Sequence, residues 1–238
     1  MGALGKLWHN RWIIRAIIPS VIFNFRHLPF SQAARIPILL RKARLGNCSG
    51  KFIFNCPVRF GLVKFGVNNV SLYPDSGISL ENRGKIVFNG YLTVGNASAI
   101  SVGETGVLEF GKKVIVTSSL KIACYHSIKL NDDVLVGWDC MMTDTDFHKL
   151  KYTDQKRYSK GYGSISVGSN TWVANNCKLY KNATIPENCV IGADTIIHGP
   201  VDCKPYSLIT NEISTTVKTE GIYHDKDDDK INYNQKLK

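Results

Sequence analysis

From Val167 to Ile197 an aliphatic residue returns at every sixth position: Val167, Val173, Leu179, Ile185, Ile191 and Ile197. The fourth place of each six holds Asn170, Asn176, Asn182, Asn188 and Asp194, and the fifth holds the small residues Thr171, Cys177, Ala183, Cys189 and Thr195. A period of six fits neither an amphipathic helix nor an alternating strand. It is the pattern of a parallel β-helix, in which each hexad is one short strand plus a corner. The aliphatic side chain points inward and stacks on its equivalents in the coils above and below. The fifth position also enters the narrow interior and must be small. Asn or Asp suits the corner because these residues tolerate left-handed backbone. Three hexads then close one triangular coil, and coils repeat at about 4.8 Å.

Upstream the repeat is present but ragged. Val94 and Ile100 are six apart, as are Val102 and Leu108, among frequent glycines. The phase cleans up at Phe110, Val116, Ile122 and Ile128, slips by two, and continues as Leu130, Val136 and Met142. His148 falls at the next step, where an aliphatic residue is due. Residues 149–164 have no period and are polar, basic and rich in Tyr. A loop of this length inside a solenoid is usually functional or mobile. After Val201 the repeat fades. The pattern divides the chain into a basic amphipathic helical segment (1–50), a β-helix (51–215, with the excursion 149–164) and a charged tail (216–238).

In the first segment, residues 4–18 read as a helix. Trp8 and Trp12, Ile13 and Ile17, and Ile14 and Ile18 are each four apart, with Arg11 and Arg15 as a basic stripe. Pro19 is expected to end or kink this helix. A second helical piece runs from Ser31, as N-cap, towards Arg44, disturbed by Pro37. Two roles fit the segment: an interfacial helix in peripheral contact with a membrane, or a cap that hides the strand edge of the first coil.

Charge sharpens the first role. The chain has 238 residues and a net charge of +11. No acidic residue precedes Asp75, and residues 1–74 carry eleven Lys and Arg, the whole of that excess. A basic front end suits an anionic membrane surface or an anionic lipid-linked substrate. No nucleic-acid recognition motif accompanies it, so no nucleic-acid partner is expected. Seven cysteines form no CxxC pair, and Cys177 and Cys189 fall at the small inward position. The reading is therefore a reduced, cytoplasmic protein, peripheral at the inner membrane face. No signal peptide is expected, and the apolar run 12–25, interrupted by Arg15 and Pro19, falls short of the roughly 20 residues that span a bilayer.

The hexads resemble those of the hexapeptide-repeat acyltransferase family, which implies an all-β, left-handed parallel β-helix with a short N-terminal helical segment. The resemblance extends to the segment Val134-Leu-Val-Gly-Trp. It is followed by a histidine eleven residues after the glycine, an excursion, and Ile165-Ser-Val-Gly-Ser-Asn-Thr-Trp. In the galactoside and maltose acetyltransferase branch that histidine is the general base, which implies the role for His148. Histidine suits proton abstraction near neutral pH. Asp146 and Asp144, two and four residues earlier, are placed to hold its tautomer and stabilise the imidazolium.

The family binds acetyl-CoA in a groove between coils of adjacent subunits, which implies a homotrimer with acetyl-CoA as acyl donor. Carried over by motif, Trp172 opens the cofactor block, Asn175 lies near the thioester and Ala193 faces the pantetheine arm. His198 stands with Gly199 where the family usually has Thr-Lys, and Lys204 is the candidate for a CoA phosphate. The family's Gly-x-Pro segment is here Thr210-Asn-Glu, and its assisting Asn has no counterpart beyond the neighbourhood of Ser118 and Ser119. The lead-in, residues 22–33, looks like that of bacterial O-acetyltransferases of capsule and lipopolysaccharide clusters. Zinc-dependent carbonic anhydrases share the fold, but their two ligands five residues apart have no match among His126, His148 and His198, so no metal is expected.

The expected function is transfer of acetyl from acetyl-CoA to a sugar hydroxyl of a surface-polysaccharide precursor. Alternatives are N-acetylation of a nucleotide-linked amino sugar, and a non-catalytic β-helix scaffold.

Overall fold

A computed structural model of the chain describes residues 12–148 and 159–212. The first eleven residues, most of the excursion and the tail at 216–238 lie outside them, and so does the start of the predicted helix with Trp8 and Arg11.

The strands turn in strict rotation through three parallel sheets. Sheet I has eight strands: Ile38–Leu40, Val63–Val67, Leu92–Gly95, Val114–Val116, Leu135–Val136, Trp172–Val173, Val190–Ile191 and Leu208–Ile209. Sheet II has seven, from Ala43–Leu45 to Ile196–Ile197, and sheet III six, from Lys51–Phe54 to Thr184–Ile185. Each sheet is parallel throughout its named pairs. The fold is the left-handed parallel β-helix that the hexads predict.

Register makes the core columns. Along sheet I, Leu40, Phe65, Val94, Val116, Val136, Val173 and Ile191 are paired in sequence and fully buried, and Ile209 closes the row half-buried. Sheet II contributes Leu80, Ile100, Ile122, Met142, Leu179 and Ile197. Every corner residue of the regular block has positive φ: Asn170 at 55°, Asn176 at 56°, Asn182 at 69°, Asn188 at 57° and Asp194 at 62°. The fifth-place residues Thr171, Cys177, Ala183, Cys189 and Thr195 are all buried. Corner amides also bond between coils, Asn170 to Asn188 at 3.2 Å and Asn176 to Asp194. A local steric preference thus becomes a side-chain ladder up the outside of the solenoid.

Two boundaries differ from the sequence reading. Helix α1, Trp12–His27, runs through Pro19 instead of ending there. A proline inside a helix costs about 3 kcal/mol, and tertiary burial offsets it: Ala16, Ser20, Phe23 and Asn24 face the first coil. The second helical piece is one turn only, α2, Phe30–Ala33, and its predicted continuation is strand. Ile36 turns the chain at φ 46°, and the apolar Ile38–Leu40 pairs with Val63–Phe65. The β-helix therefore begins at Ile38 and not near 51.

The cap role describes the inner face of α1. Strand Ile38–Leu40 is the open end of sheet I, and side chains of the helix take its backbone groups. Leu40 N–H donates to Ser20 Oγ at 2.9 Å, Ile38 N–H donates to Asn24 Oδ1 at 3.1 Å, and Asn24 Nδ2 donates to the Ile38 carbonyl at 2.7 Å. Two buried polar side chains in an apolar helix are explained by an edge that needs partners.

Candidate active site

Each coil has three edges, and sheet order decides which residues share one. The edge from sheet II to sheet III gathers the groups with proton chemistry. On consecutive rungs it carries Tyr125 and His126, then Asp144 to His148, then Tyr180 and Lys181, then His198. Three histidines separated in sequence by 22 and 50 residues are brought to one line by wrapping.

The rung of Met142 is where the chain leaves the coil. Its exit and return are closed by an antiparallel bridge between Thr145 and Tyr162. Asp146 N–H donates to the Gly161 carbonyl at 2.8 Å, and Gly163 N–H to the Asp144 carbonyl at 2.9 Å. Phe147 then adopts φ 60°, packs edge-on against Tyr125 with centroids 5.0 Å apart, and leaves His148 exposed at the mouth of the excursion. The Tyr162 ring lies 4.9 Å from that of His126, and the Lys160 ammonium sits 4.8 Å over Tyr162. One rung pair further, Tyr180 and His198 stack face to face at 4.7 Å and 7°.

Neither aspartate serves His148 in the way the spacing suggests. Asp144 is fully buried, and its carboxylate accepts the Tyr125 N–H and the His126 N–H, each at 2.8 Å. At this corner, between the sheet II strand Met141–Thr143 and the sheet III strand Ile165–Val167, it satisfies two amides of the preceding coil. Asp146 is ion-paired with Lys181. The expected carboxylate–imidazole pairing therefore gives way to one structural carboxylate and one carboxylate–ammonium pair. No hydrogen bond to the His148 ring forms among the described residues.

The residues assigned to the acyl donor fall on different edges. Trp172, half-exposed, opens its sheet I strand, and Asn175 and Ala193 stand one coil apart on the edge from sheet I to sheet II. His198 is on the II–III edge with His148. Lys204 is on the III–I edge, beyond Cys189, whose thiol meets its carbonyl at 3.8 Å. Within one chain sheet II separates Asn175 and Ala193 from His148. Ser118 is buried against Asn96 at 2.9 Å on the I–II edge of earlier coils.

Sequence reasoning missed Tyr162, Tyr180 and Lys181, since nothing in a hexad marks which outward residues share an edge. It also missed the loop at 68–77, which descends the I–II edge. Asn96 Nδ2 holds the Pro74 carbonyl at 2.7 Å, and the Tyr73 hydroxyl bonds Asp139. Burial, the bond to Asp139 and that residue's charge push the Tyr73 hydroxyl up to about 12. This loop borders the same edge as Asn175 and Ala193.

No family model matches the chain. It is 25% identical over 134 residues to a probable acetyltransferase of Mycobacterium tuberculosis, covering 56% of this chain and 43% of the relative. The chain thus spans less than half the length of that relative. Among solved structures, the polysialic acid O-acetyltransferase OatWY aligns over 74% of this chain and 95% of its own, with 13% identity and a TM-score of 0.30.

Proposed function

We propose that this chain is an acetyl-CoA-dependent O-acetyltransferase that acts on a sugar hydroxyl of a surface-polysaccharide precursor, with His148 as general base. The observation that carries the reading is the interruption of the coil at the rung of Met142. Ile165 and Val167 fill the inward places of sheet III in that coil, and an exposed imidazole stands outside them, at the mouth of a Tyr-rich excursion and on an edge shared with His126, Tyr180 and His198. Likeness to a probable acetyltransferase supports the acyl-transfer class.

His148 takes the proton of the acceptor hydroxyl as its oxygen attacks the thioester carbonyl. Backbone N–H groups at a coil corner hold the oxyanion. Collapse expels the CoA thiolate, which recovers the proton from the imidazolium. No acyl-enzyme forms, so the cysteines need no role. Burial raises the Cys48, Cys56 and Cys124 thiols, which keeps these three poor nucleophiles.

The separation of His148 from Asn175 and Ala193 across sheet II favours a site shared between copies, the I–II edge of one facing the II–III edge of the next. An outward apolar ladder on sheet I supports such association: Ile115, Leu135, Trp172, Val190 and Leu208 stand in register, and all but the half-buried Val190 are exposed. A homotrimer is the assembly proposed, with Trp172 in the ladder, three residues before Asn175 of the donor edge.

The test is thiol release from acetyl-CoA with a panel of sugars and oligosaccharides. His148→Ala is expected to lower kcat by about 10²–10⁴-fold with the fold retained. Transfer at the wild-type rate in that variant removes His148 as base, and no transfer by the wild type to any sugar removes the reading.

A further inference from the structure

Helix α1 has two faces, and among the described residues only one packs against the fold. Ala16, Ser20, Phe23 and Asn24 face the first coil. On the other side Ile14, Ile18 and Ile22 follow at intervals of four, continued by Phe25 and by Phe30 of α2. Their exposures are 75%, 69%, 62%, 48% and 78%. Single exposed apolar residues are ordinary, but five on one continuous face mark a surface that meets something.

The electrostatics of this end select the partner. Arg15 and Arg26 flank the row, and the chain has no acidic residue before Asp75. Asp75 itself is held by Arg41, with Nη2 at 2.8 Å, and by Lys42 at 2.8 Å. Beside the helix lies an open groove of about 800 Å³ whose walls include Ile22, Phe23 and Leu45, with Arg26 and His27 at its rim. A second copy of this end would oppose cation to cation. An anionic lipid surface matches both the apolar row and the charge. No helix of the described residues is long and apolar enough to cross a membrane, so the contact is one of lying on it.

We propose that α1 docks this protein on an anionic bilayer. Ile14, Ile18, Ile22, Phe25 and Phe30 enter the acyl boundary, and Arg15 and Arg26 meet headgroup phosphates. Unlike a free amphipathic peptide, this helix is folded beforehand, because Ser20 and Asn24 bond it to Ile38 and Leu40. Docking therefore carries no cost of helix formation, and a short row suffices.

Co-sedimentation of the full chain with phosphatidylcholine vesicles, with and without phosphatidylglycerol, tests this independently of any enzymatic activity. The protein is expected to pellet with the anionic vesicles and to be released by salt. The triple variant Ile14→Ser, Ile18→Ser, Ile22→Ser changes only exposed side chains. It is expected to lower the vesicle partition by about tenfold or more at an unchanged circular dichroism spectrum. Arg15→Gln with Arg26→Gln is expected to weaken binding to anionic vesicles selectively. The proposal fails if the wild type stays in the supernatant with anionic vesicles, or if the triple-Ser variant pellets equally. It also fails if light scattering shows assemblies that this variant dissolves while no lipid binding is seen, which would make a second copy the occupant.

Discussion

The coils after Ile165 and the coils before Phe110 build the same solenoid by different means. In the later block, equivalent positions on sheet I are eighteen residues apart, from Val173 to Ile191 to Ile209. In the earlier block the same step takes 25 residues from Leu40 to Phe65, 29 to Val94 and 22 to Val116. The later interior is filled by aliphatic and small residues. The earlier one holds Phe52, Phe65, Phe88 and Phe110, with Phe88 and Phe110 stacked at 6.3 Å and 8°. Among non-glycine residues, positive φ falls on Asn and Asp at the corners from Asn170 to Asp194 and then on Tyr206, but on Ile36, Lys42 and Ala97 before Phe110 and on Lys113 and Ser119 just after it. A coil must return its inward residues to register with the coil below, whereas its corners are free in length and composition. Hexads are one economical solution to that demand.

Glycine separates the stacked coils of either block from the last coil: a Cβ on Gly168 of the later block would stand 2.4 Å from the Glu187 backbone nitrogen. A Cβ on Gly95 would stand 1.7 Å from the Thr117 carbonyl oxygen of the next coil, which is backbone and cannot turn aside. A Cβ on Gly192 would find its nearest neighbour, Thr210 Cβ, at 3.5 Å. Gly95→Ala is therefore expected to cost about 3 kcal/mol or more, and Gly192→Ala to be neutral or stabilising by about 0.5 kcal/mol. Chemical denaturation of both variants checks this. Equal stability would mean that the wide coils are as loosely stacked as the last one.

Corner chemistry comes next. Lys113 at φ 55° and Asn176 at φ 56° share a conformation but not a preference for it. Lys113→Asn is expected to stabilise by about 0.5 kcal/mol, and Asn176→Ala to destabilise by about 1 kcal/mol. The second loss includes the bond from Asn176 to Asp194. Thermal melts of the two variants moving in the same direction would show that corner residue type is immaterial here.

The smallest effect concerns the long loop of the early block, for which the later coils have no equivalent. Burial alone would raise the Asp75 carboxyl, but hydrogen bonds from Lys42 and Arg41, and their charges, hold it below the usual value. A depressed folded-state pKa contributes stability above the ordinary carboxylate range, and that contribution is lost as pH falls through the lowered value. Because the pair is partly exposed, the expected loss on acidification, or in Asp75→Asn at neutral pH, is about 1 kcal/mol or less. Hydrogen exchange at residues 68–77 in wild type and variant reads it. An Asp75→Asn loss that persists unchanged at acid pH would place its origin outside this ion pair.

What the sequence determined by itself was local. Val167 to Ile197 states its own coil, because inward aliphatic, small fifth residue and left-handed corner are requirements of a single turn. It also marked where the chain leaves the coil, because a histidine at a six-step due to an aliphatic residue is visible beside five regular hexads; in the fold that histidine is exposed and Val167 takes the inward place. Tertiary structure decided the rest. Helix α1 passes Pro19 because the open edge of strand Ile38–Leu40 offers partners to Ser20 and Asn24. Asp144 binds the Tyr125 and His126 amides in place of His148 because two backbone donors of the coil before it need acceptors where the chain departs into the excursion. His126, His148 and His198 share an edge, while Asn175, Ala193 and Lys204 are sorted to two others, because wrapping converts coil length into position. Where corners vary in length, that conversion cannot be read from spacing, and only the paired backbone fixes it.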